Sequence, residues 1–294
     1  MVSHAHMLAG TDESGERIPI FTATLTGEQA IKAGVGSFQY VGESTESNDP
    51  NAKLAGKTRH GHGEAIYESE SKYVGEWVND KRSGRGQYIF PCGDTYDGGW
   101  KNGKYHGHGK YTTSAKHPSD EYEGEWEADK MHGLGKYHYS AEGDVYDGAW
   151  IAGLRSGKGK YSFSNGNYFE GEYQFGERHG VGTFHYVTGE AEVSRYIEGR
   201  ESGWGAIWSA DRQTAWRLDE GSADGTISLD EAESIAHGLG LTVPGVSVVT
   251  DSSPAAITAV LPTPASTSAQ VHTGLGFRPP VEARFGPDGR ASFF

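Results

Sequence analysis

One short pattern recurs along the middle of this 294-residue chain and constrains its fold more than any other feature. A Tyr, a Gly and a Trp stand two residues apart in Tyr73–Trp77, and the pattern returns at intervals of 23 to 26 residues. Seven residues after the Trp stands the first of two glycines, Gly84 and Gly86, and the aromatic Tyr88 follows them. Five copies in this register define an internal repeat.

The aromatic residues in the first half of each copy form one set. Residues two apart in a β-strand point to the same face of the sheet, so the set lines one face. We predict that this face stabilises the fold or contacts a partner. Its members are Tyr73, Trp77, Tyr96, Trp100, Tyr122, Trp126, Tyr146, Trp150, Phe169 and Tyr173.

Each copy has the form of a β-hairpin, with two strands joined by a polar loop such as VNDKRS at 78–83. Glycine weakens a strand interior, so the paired glycines need a role, and we expect an aromatic ring to lie over the bare backbone. One hairpin cannot bury a face alone, so the copies must stack. The predicted fold is mostly β: an elongated, single-layer solenoid of stacked hairpins.

Weaker copies flank the five clear ones, which occupy 73–190. A degenerate copy is predicted at 40–67 and another, with a shortened loop, at 196–208, so that the array spans 40–208. Degenerate terminal copies are typical of repeat arrays. Residues 1–39 are predicted to be a largely unstructured N-terminal extension.

The repeated segments resemble MORN repeats. The resemblance is carried by YVGEWVNDKRSGRGQY from Tyr73 and YEGEWEADKMHGLGKY from Tyr122, in which the family's Tyr, Gly, Trp and paired Gly positions are all occupied. It implies a hairpin array that acts as a scaffold or tether without catalysis of its own. Members of the family occur in radial-spoke heads and other axonemal assemblies, and in junctional membrane tethers.

The segment after the array, 209–241, is predicted to form a helix-loop-helix that resembles an EF-hand. Five side chains fall on ligand positions of a calcium loop: Glu220, Ser222, Asp224, Thr226 and Glu231. The loop departs from the pattern because its first position is Glu rather than Asp, and we identify no second loop. Two interpretations stay open, a weak calcium site and a calcium-free element used for docking.

Composition limits the function further. The formal net charge of −14 disfavours nucleic acid and an anionic membrane as partners, and the single cysteine, Cys92, excludes internal disulfides. Residues 242–294 are rich in Pro, Ala, Ser and Thr, which predicts an extended arm. The sequence contains no phosphate-binding or nucleophile motif. We therefore expect a non-enzymatic protein of the cytoplasm or cytoskeleton, with no cofactor other than the calcium considered above.

The predicted function is a structural scaffold for protein–protein interactions in a cytoskeletal assembly, specifically a ciliary or flagellar axoneme of the radial-spoke or central-apparatus type. Its partners are other proteins of a large complex, and a homodimer through the repeat face is a further expectation. One alternative is a phosphoinositide-binding membrane tether, whose cations are Lys81, Arg82, Arg85, Lys104 and Lys158. A second alternative is a calcium-responsive adaptor.

Overall fold

The computed structural model of the chain describes residues 6–11, 17–25, 38–46, 57–114, 119–245, 283–285 and 291–293. The first four strands are β1 (His6–Thr11), β2 (Arg17–Leu25), β3 (Phe38–Glu46) and β4 (Lys57–Tyr67). The five repeated copies, numbered here copies 1 to 5 from the start at Tyr73, contribute ten strands. These are β5 (Lys72–Val78), β6 (Lys81–Ile89), β7 (Thr95–Lys101), β8 (Lys104–Thr112), β9 (Glu121–Glu127), β10 (Lys130–Tyr139), β11 (Asp144–Ile151), β12 (Leu154–Ser162), β13 (Tyr168–Gln174) and β14 (Glu177–His185).

Five more strands and one helix follow the repeated copies. They are β15 (Ala191–Ile197), β16 (Arg200–Glu201), β17 (Trp204–Trp208), β18 (Ala215–Asp219), β19 (Ser222–Ile227) and the helix α1 (Leu229–Gly238). A separate two-stranded hairpin is formed by β20 (Ala283–Phe285) and β21 (Ala291–Phe293).

The strands β1 to β19 form one antiparallel sheet of nineteen strands in chain order. Each strand pairs with the next along the chain, except that β15 pairs with both β16 and β17. Among the described residues, β1 pairs only with β2 and β19 only with β18, so the sheet stays open. The prediction of a mostly β, single-layer array of stacked hairpins is confirmed.

The hairpin of each copy closes with a two-residue turn in which both residues have positive φ. In copy 1 the turn residues are Asn79 and Asp80, at φ 48° and 64°, and in copy 2 they are Asn102 and Gly103, at 55° and 86°. Positive φ at both positions is the mark of a type I′ turn, whose twist matches that of the flanking strands. These turns set the register of every hairpin.

The core of the sheet is a continuous row of aromatic rings, here called the aromatic ladder. All its members are at most 4% exposed, and neighbouring rings meet edge to face with centroids 5.0–5.7 Å apart. Tyr73, Tyr96 and Tyr122 each lie between the Trp of their own copy and the Trp of the next. Tyr173 and Tyr196 take the Trp position later in the array, so the ladder crosses every boundary between copies. In order, its members are Tyr40, Trp77, Tyr73, Trp100, Tyr96, Trp126, Tyr122, Trp150, Tyr146, Tyr173, Phe169 and Tyr196.

Paired glycines provide the seat for each ladder ring. In copy 3 a carbon added at Gly135 would lie within 2.6 Å of the Tyr122 ring, so only a bare backbone leaves room for it. The Tyr122 hydroxyl donates to the Glu125 carbonyl at 2.9 Å, and Trp150 Nε1 of the next copy donates to the Gly135 carbonyl at 3.0 Å. The prediction that rings lie over glycine backbone is confirmed, and the same glycine joins one copy to the next.

The degenerate copy after the array begins earlier than the predicted 196–208. In the sheet Gly180 pairs with Tyr196, just as Gly84 pairs with Trp100, so Tyr196 occupies the Trp position. Glu192 then stands at the Tyr position, and the turn at Glu198 has its ordinary length. The prediction of a shortened loop is wrong, because the Tyr and first Gly that mark a copy are replaced here by Glu192 and Ser194.

The helix-loop-helix predicted for 209–241 is also wrong. Its first helix is the strand β18, and its loop is a hairpin turn at Glu220 and Gly221, followed by β19. Glu220 and Gly221 have φ of 48° and 78°, which suits a type I′ turn. The unpaired edge of β17 is a template for another strand, and this tertiary contact overrides the local helical signal.

The second half of this segment is the helix α1, which packs on the face of the sheet opposite the aromatic ladder. The pairings of β15, β17 and β18 place Val193, Ala206 and Ala215 on that face, where they contact Ala232 and Ala236 of the helix. In this part of the sheet small apolar side chains stand where the copies carry mostly charged ones. The helix therefore ends the array as a second layer.

The terminal segments differ from their predictions in part. The N-terminal extension, 1–39, contains β1 and β2, which continue the sheet because β2 pairs with β3. The predicted arm, 242–294, lies outside the described residues except for 242–245 and the hairpin of β20 and β21.

Two glycines of β8 are required for different reasons: one leaves room for an aromatic ring, and the other adopts positive φ. A carbon at Gly109 would lie within 2.8 Å of the Tyr96 ring, whereas at Gly107 (φ 72°) it would meet no atom within 4 Å. We expect Gly109→Ala to lower the free energy of unfolding by about 3 kcal/mol through overpacking. Gly107→Ala should lower it by only about 1 kcal/mol. Equal losses in urea denaturation would contradict the assigned role of the ring.

Candidate functional site

The ten residues predicted to form an interaction or structural face all lie in the aromatic ladder. None is more than 4% exposed, so in the folded chain their rings contact one another rather than solvent. A partner therefore cannot reach these rings without opening the sheet. The surfaces that remain for binding are the opposite face, here called the outer face, and the two edges formed by the turns.

Arginines clamp the turns of copies 2 and 5 to the copy before each. Arg155, 3% exposed, donates from Nε and Nη2 to the Gly176 carbonyl at 3.0 and 2.7 Å. Arg82 lies over the Trp100 ring at 4.3 Å and donates to the Gly103 carbonyl at 3.0 Å. A guanidinium in this position combines a cation–π contact with a hydrogen bond across the copy boundary.

The clamp was not recognisable in the sequence, where Arg82 looked like one of five loop cations. The structure divides that group into three locations. Arg82 lies half-buried over the Trp100 ring, Lys81 and Lys104 flank turns at one edge, and Arg85 and Lys158 lie on the outer face. The five cations do not form one continuous row.

A second clamp stands at the other edge of the array, where an acidic residue ends the turn between copies. The Asp94 carboxylate accepts from the Tyr111 hydroxyl at 2.9 Å and from the Ser114 backbone N–H at 2.7 Å. Asp144 makes the same pair of bonds with Tyr161 and Ser164. Copies 1 and 2 are thus tied at both edges as well as through the ladder.

The tyrosines of the core stay protonated far above neutral pH. Burial is the main cause, and it raises the pKa of Tyr96, Tyr122 and Tyr146 well above the ordinary value. For Tyr111 the Asp94 carboxylate acts in the same direction. Each hydroxyl is therefore a fixed hydrogen-bond donor, which suits a structural role and offers no group poised for acid–base catalysis.

The outer face carries a row of alternating charges across the copies, here called the charge row. The cross-strand pairings place each of its lysines between acidic residues of the neighbouring strands. Lys136 approaches Asp147 at 3.3 Å and Lys160 approaches Glu170 at 3.0 Å. Such exposed pairs stabilise little, so the row is free to serve recognition. In order, its members are Asp97, Lys110, Glu123, Lys136, Asp147, Lys160 and Glu170.

A second set of acidic residues on the outer face closes a β-bulge in its own hairpin. Glu76 accepts a hydrogen bond from the Arg85 backbone N–H at 2.8 Å, and Glu125 accepts one from the Leu134 N–H at 2.9 Å. The glycine before each donor has positive φ, 61° at Gly84 and 56° in copy 3, which turns the N–H outward. These carboxylates accept hydrogen bonds from backbone N–H groups that do not pair with the neighbouring strand.

The array ends at a buried acidic pair that replaces ladder and clamp residues. Glu192 stands at the position of the ladder Tyr, is 6% exposed and accepts from the Tyr186 and Tyr196 hydroxyls. Glu201 stands where earlier copies carry the clamping arginine. Burial and the Glu192 carboxylate raise the pKa of Glu201 to about 7, against a smaller opposing effect of Arg178. The sequence pattern gave no sign of this pair.

The five residues predicted as calcium ligands do not converge. Glu220 lies in a hairpin turn and accepts from the Gly203 N–H at 2.9 Å. Asp224 and Glu231 both approach Arg217, at 3.0 and 3.4 Å, while Ser222 and Thr226 lie in β19. No group of three or more His, Cys, Asp or Glu within the described part of the chain is arranged to hold a metal ion. The segment therefore lacks the helix-loop-helix of an EF-hand, and calcium binding by these residues stays a prediction.

None of the helices in the described residues is both long enough and apolar enough to cross a membrane.

A protein-family model described as MORN repeat matches the chain five times, at residues 73–95, 96–114, 122–141, 146–168 and 169–191. The chain therefore contains five MORN repeats, and they coincide with copies 1 to 5. The flanking copies that begin at Tyr40 and Glu192 lie outside these matches. No curated protein matches the chain.

The acidic pair of Glu192 and Glu201 makes the stability of the array's C-terminal end depend on pH. The folded state holds a proton on Glu201 that the unfolded chain releases near its ordinary pKa of 4.5, so stability falls as pH rises from about 4.5 through 7. Glu201→Gln removes this ionisation and should raise the free energy of unfolding at pH 8 by about 1–2 kcal/mol, after allowance for partial solvent screening. Urea denaturation at pH 8 and pH 4 tests this, because the gain should vanish at pH 4. An equal gain at both pH values would contradict the ionisation account.

Proposed function

We propose that the chain is a non-catalytic scaffold whose rigid hairpin array holds partner proteins in a cytoskeletal assembly. The observation that carries the proposal is the connection between copies: the aromatic ladder crosses every boundary, and arginine and aspartate clamps reinforce several of them. An array joined in this way keeps fixed distances between points on its surface, about 10 Å per copy.

Partner proteins bind on the outer face in this proposal. The ladder is closed to solvent, whereas the charge row is exposed and its ion pairs are weak enough to exchange for contacts with another protein. A row of alternating charge favours a partner with the complementary sequence of charges and rejects others. A homodimer through the repeat array would use this same face.

The finer location, a ciliary or flagellar axoneme of the radial-spoke or central-apparatus type, rests on the resemblance to MORN proteins of such assemblies. Five repeats in a stiff array are consistent with that role.

A membrane tether is the competing function. Lys81, Lys104 and Lys130 each follow the turn of successive copies and so share one edge, which favours it. The net charge of −14 disfavours it, as does the position of Arg82, which lies half-buried over Trp100. The two functions therefore use different lysines.

Two triple variants separate the scaffold from the tether. Lys110→Gln, Lys136→Gln and Lys160→Gln together remove the cations of the charge row, and Lys81→Gln, Lys104→Gln and Lys130→Gln remove those of the edge. Both should fold, because exposed ion pairs contribute about 1 kcal/mol or less each. We expect the charge-row variant to leave the detergent-insoluble cytoskeleton of ciliated cells, and the edge variant to stay.

The matched measurement is flotation with liposomes that contain phosphoinositide, at two salt concentrations. The scaffold predicts little flotation of the parent chain. The tether function would be supported instead if the parent chain floated in a salt-sensitive way and only the edge variant lost this binding. In that case the edge variant should also be released from the cytoskeleton of ciliated cells.

A further inference from the structure

The bulge of copy 4 lacks the carboxylate that closes the same bulge in copies 1 and 3. Its donor is the Lys158 N–H, which corresponds to Arg85 and Leu134, but the position of Glu76 and Glu125 is taken by Ala149. An alanine side chain cannot accept a hydrogen bond. Among the described residues, no other side chain accepts one from this N–H.

The geometry of the bulge is otherwise unchanged. Gly157 has φ of 72°, close to the 61° of Gly84, and the pairing shifts between Gly148 and Trp150 as it does at the matching place in copy 1. Successive outward backbone N–H groups around such a residue form a concavity that binds anions. The bulge of copy 4 therefore has the same concavity as the bulge of copy 1.

The space that the carboxylate fills elsewhere is open in copy 4. A carbon added at Gly84 would fall within the Glu76 carboxyl group, and in copy 3 one would fall within that of Glu125. At Gly157 the nearest atom is the Ala149 Cβ, at 3.5 Å. Gly157 and Lys158 are both exposed, so a group from solvent can reach the site.

We propose that the bulge at Gly157 and Lys158 binds a carboxylate group supplied by an acidic side chain of a partner protein. The array itself identifies the ligand, because its own glutamates occupy the equivalent bulges of copies 1 and 3. The Lys158 ammonium adds a cation beside the backbone donor, which strengthens a hydrogen bond to a charged acceptor. The proposal rests on the scaffold function, in which a partner covers the outer face.

A singly charged carboxylate fits the surroundings better than a phosphate. Lys158 pairs across the strands with Glu172, and the nearby Lys160 already approaches Glu170 at 3.0 Å. Two acidic neighbours leave little positive potential for a dianion, whereas one carboxylate needs one cation and one N–H.

Copy 2 also lacks the glutamate, but its bulge is not equivalent. Gly99 stands at the position of Glu76, and the His106 carbonyl has moved into the space where a side chain of residue 99 would begin. A carbonyl oxygen there opposes an anion. The space beside Gly107 in copy 2 is also open, but this carbonyl makes that bulge less suited to an anion, so the proposal concerns copy 4.

The test is amide NMR of the full chain during titration with the blocked tripeptide acetyl-Gly-Glu-Gly-amide. We expect a saturable shift of the Lys158 amide resonance, with no comparable shift at Arg85, whose N–H is already bonded to Glu76. The matched tripeptide with Gln in place of Glu should leave both amides unmoved. Inorganic phosphate at equal ionic strength is the third arm.

Two variants place the effect at the bulge. Ala149→Glu should supply the missing carboxylate, abolish the Lys158 shift and raise the Tm. Glu125→Ala should open the bulge of copy 3, so that the Leu134 amide gains a shift that it lacks in the parent chain.

Three results would overturn the proposal: a Lys158 shift no larger than that of Arg85, equal shifts with the Glu and Gln peptides, or a shift that persists in Ala149→Glu. A response to phosphate as large as the response to the Glu peptide would reduce the site to a general anion contact and contradict a partner carboxylate. Failure of the scaffold would show instead as loss of cytoskeletal retention in the parent chain, with the peptide response intact.

Discussion

The contact between an aromatic ring and a pair of facing glycines is the interaction on which the rest of this structure depends. In copy 3, Tyr122 covers the backbone of Gly124 and Gly135, and any side chain at either glycine would displace it. The ring in this seat is close enough to meet Trp126 of its own copy and Trp150 of the next, at 5.1 and 5.4 Å. A sheet with only one layer thereby gains a buried core without a second sheet or helix above it.

This arrangement determines which surface is left for function. Because the rings pack against one another inside the array, the surfaces available to a partner are mostly polar, with single exposed apolar side chains such as Leu134 and Phe175. These surfaces repeat with the period of the sheet. The interruptions of that period then become informative. Small apolar residues on the outer face mark where α1 packs, Glu192 and Glu201 mark where the ladder ends, and Ala149 marks a bulge without its carboxylate.

The features that follow from alternation within a strand were predictable from the sequence, since they depend only on residues two apart. The shared face of Tyr73, Trp77 and their equivalents, and the ring over glycine, belong to this class. The clamps were not predictable, because Arg82 and the Gly103 carbonyl are 21 residues apart and meet only after two hairpins are stacked. The strand β18 was missed because an edge of the sheet, rather than local preference, decides its conformation.

The central claim is that ring contacts across a boundary couple neighbouring copies energetically. A double-mutant cycle with Tyr122→Leu and Trp150→Leu measures this coupling, and the pair Tyr73 and Trp150, which are not in contact, is the control. The account predicts a coupling free energy of about 1 kcal/mol for Tyr122 with Trp150 and a value near zero for the control. Strict additivity for Tyr122 with Trp150 would contradict it, because the ladder would then fill space without joining the copies.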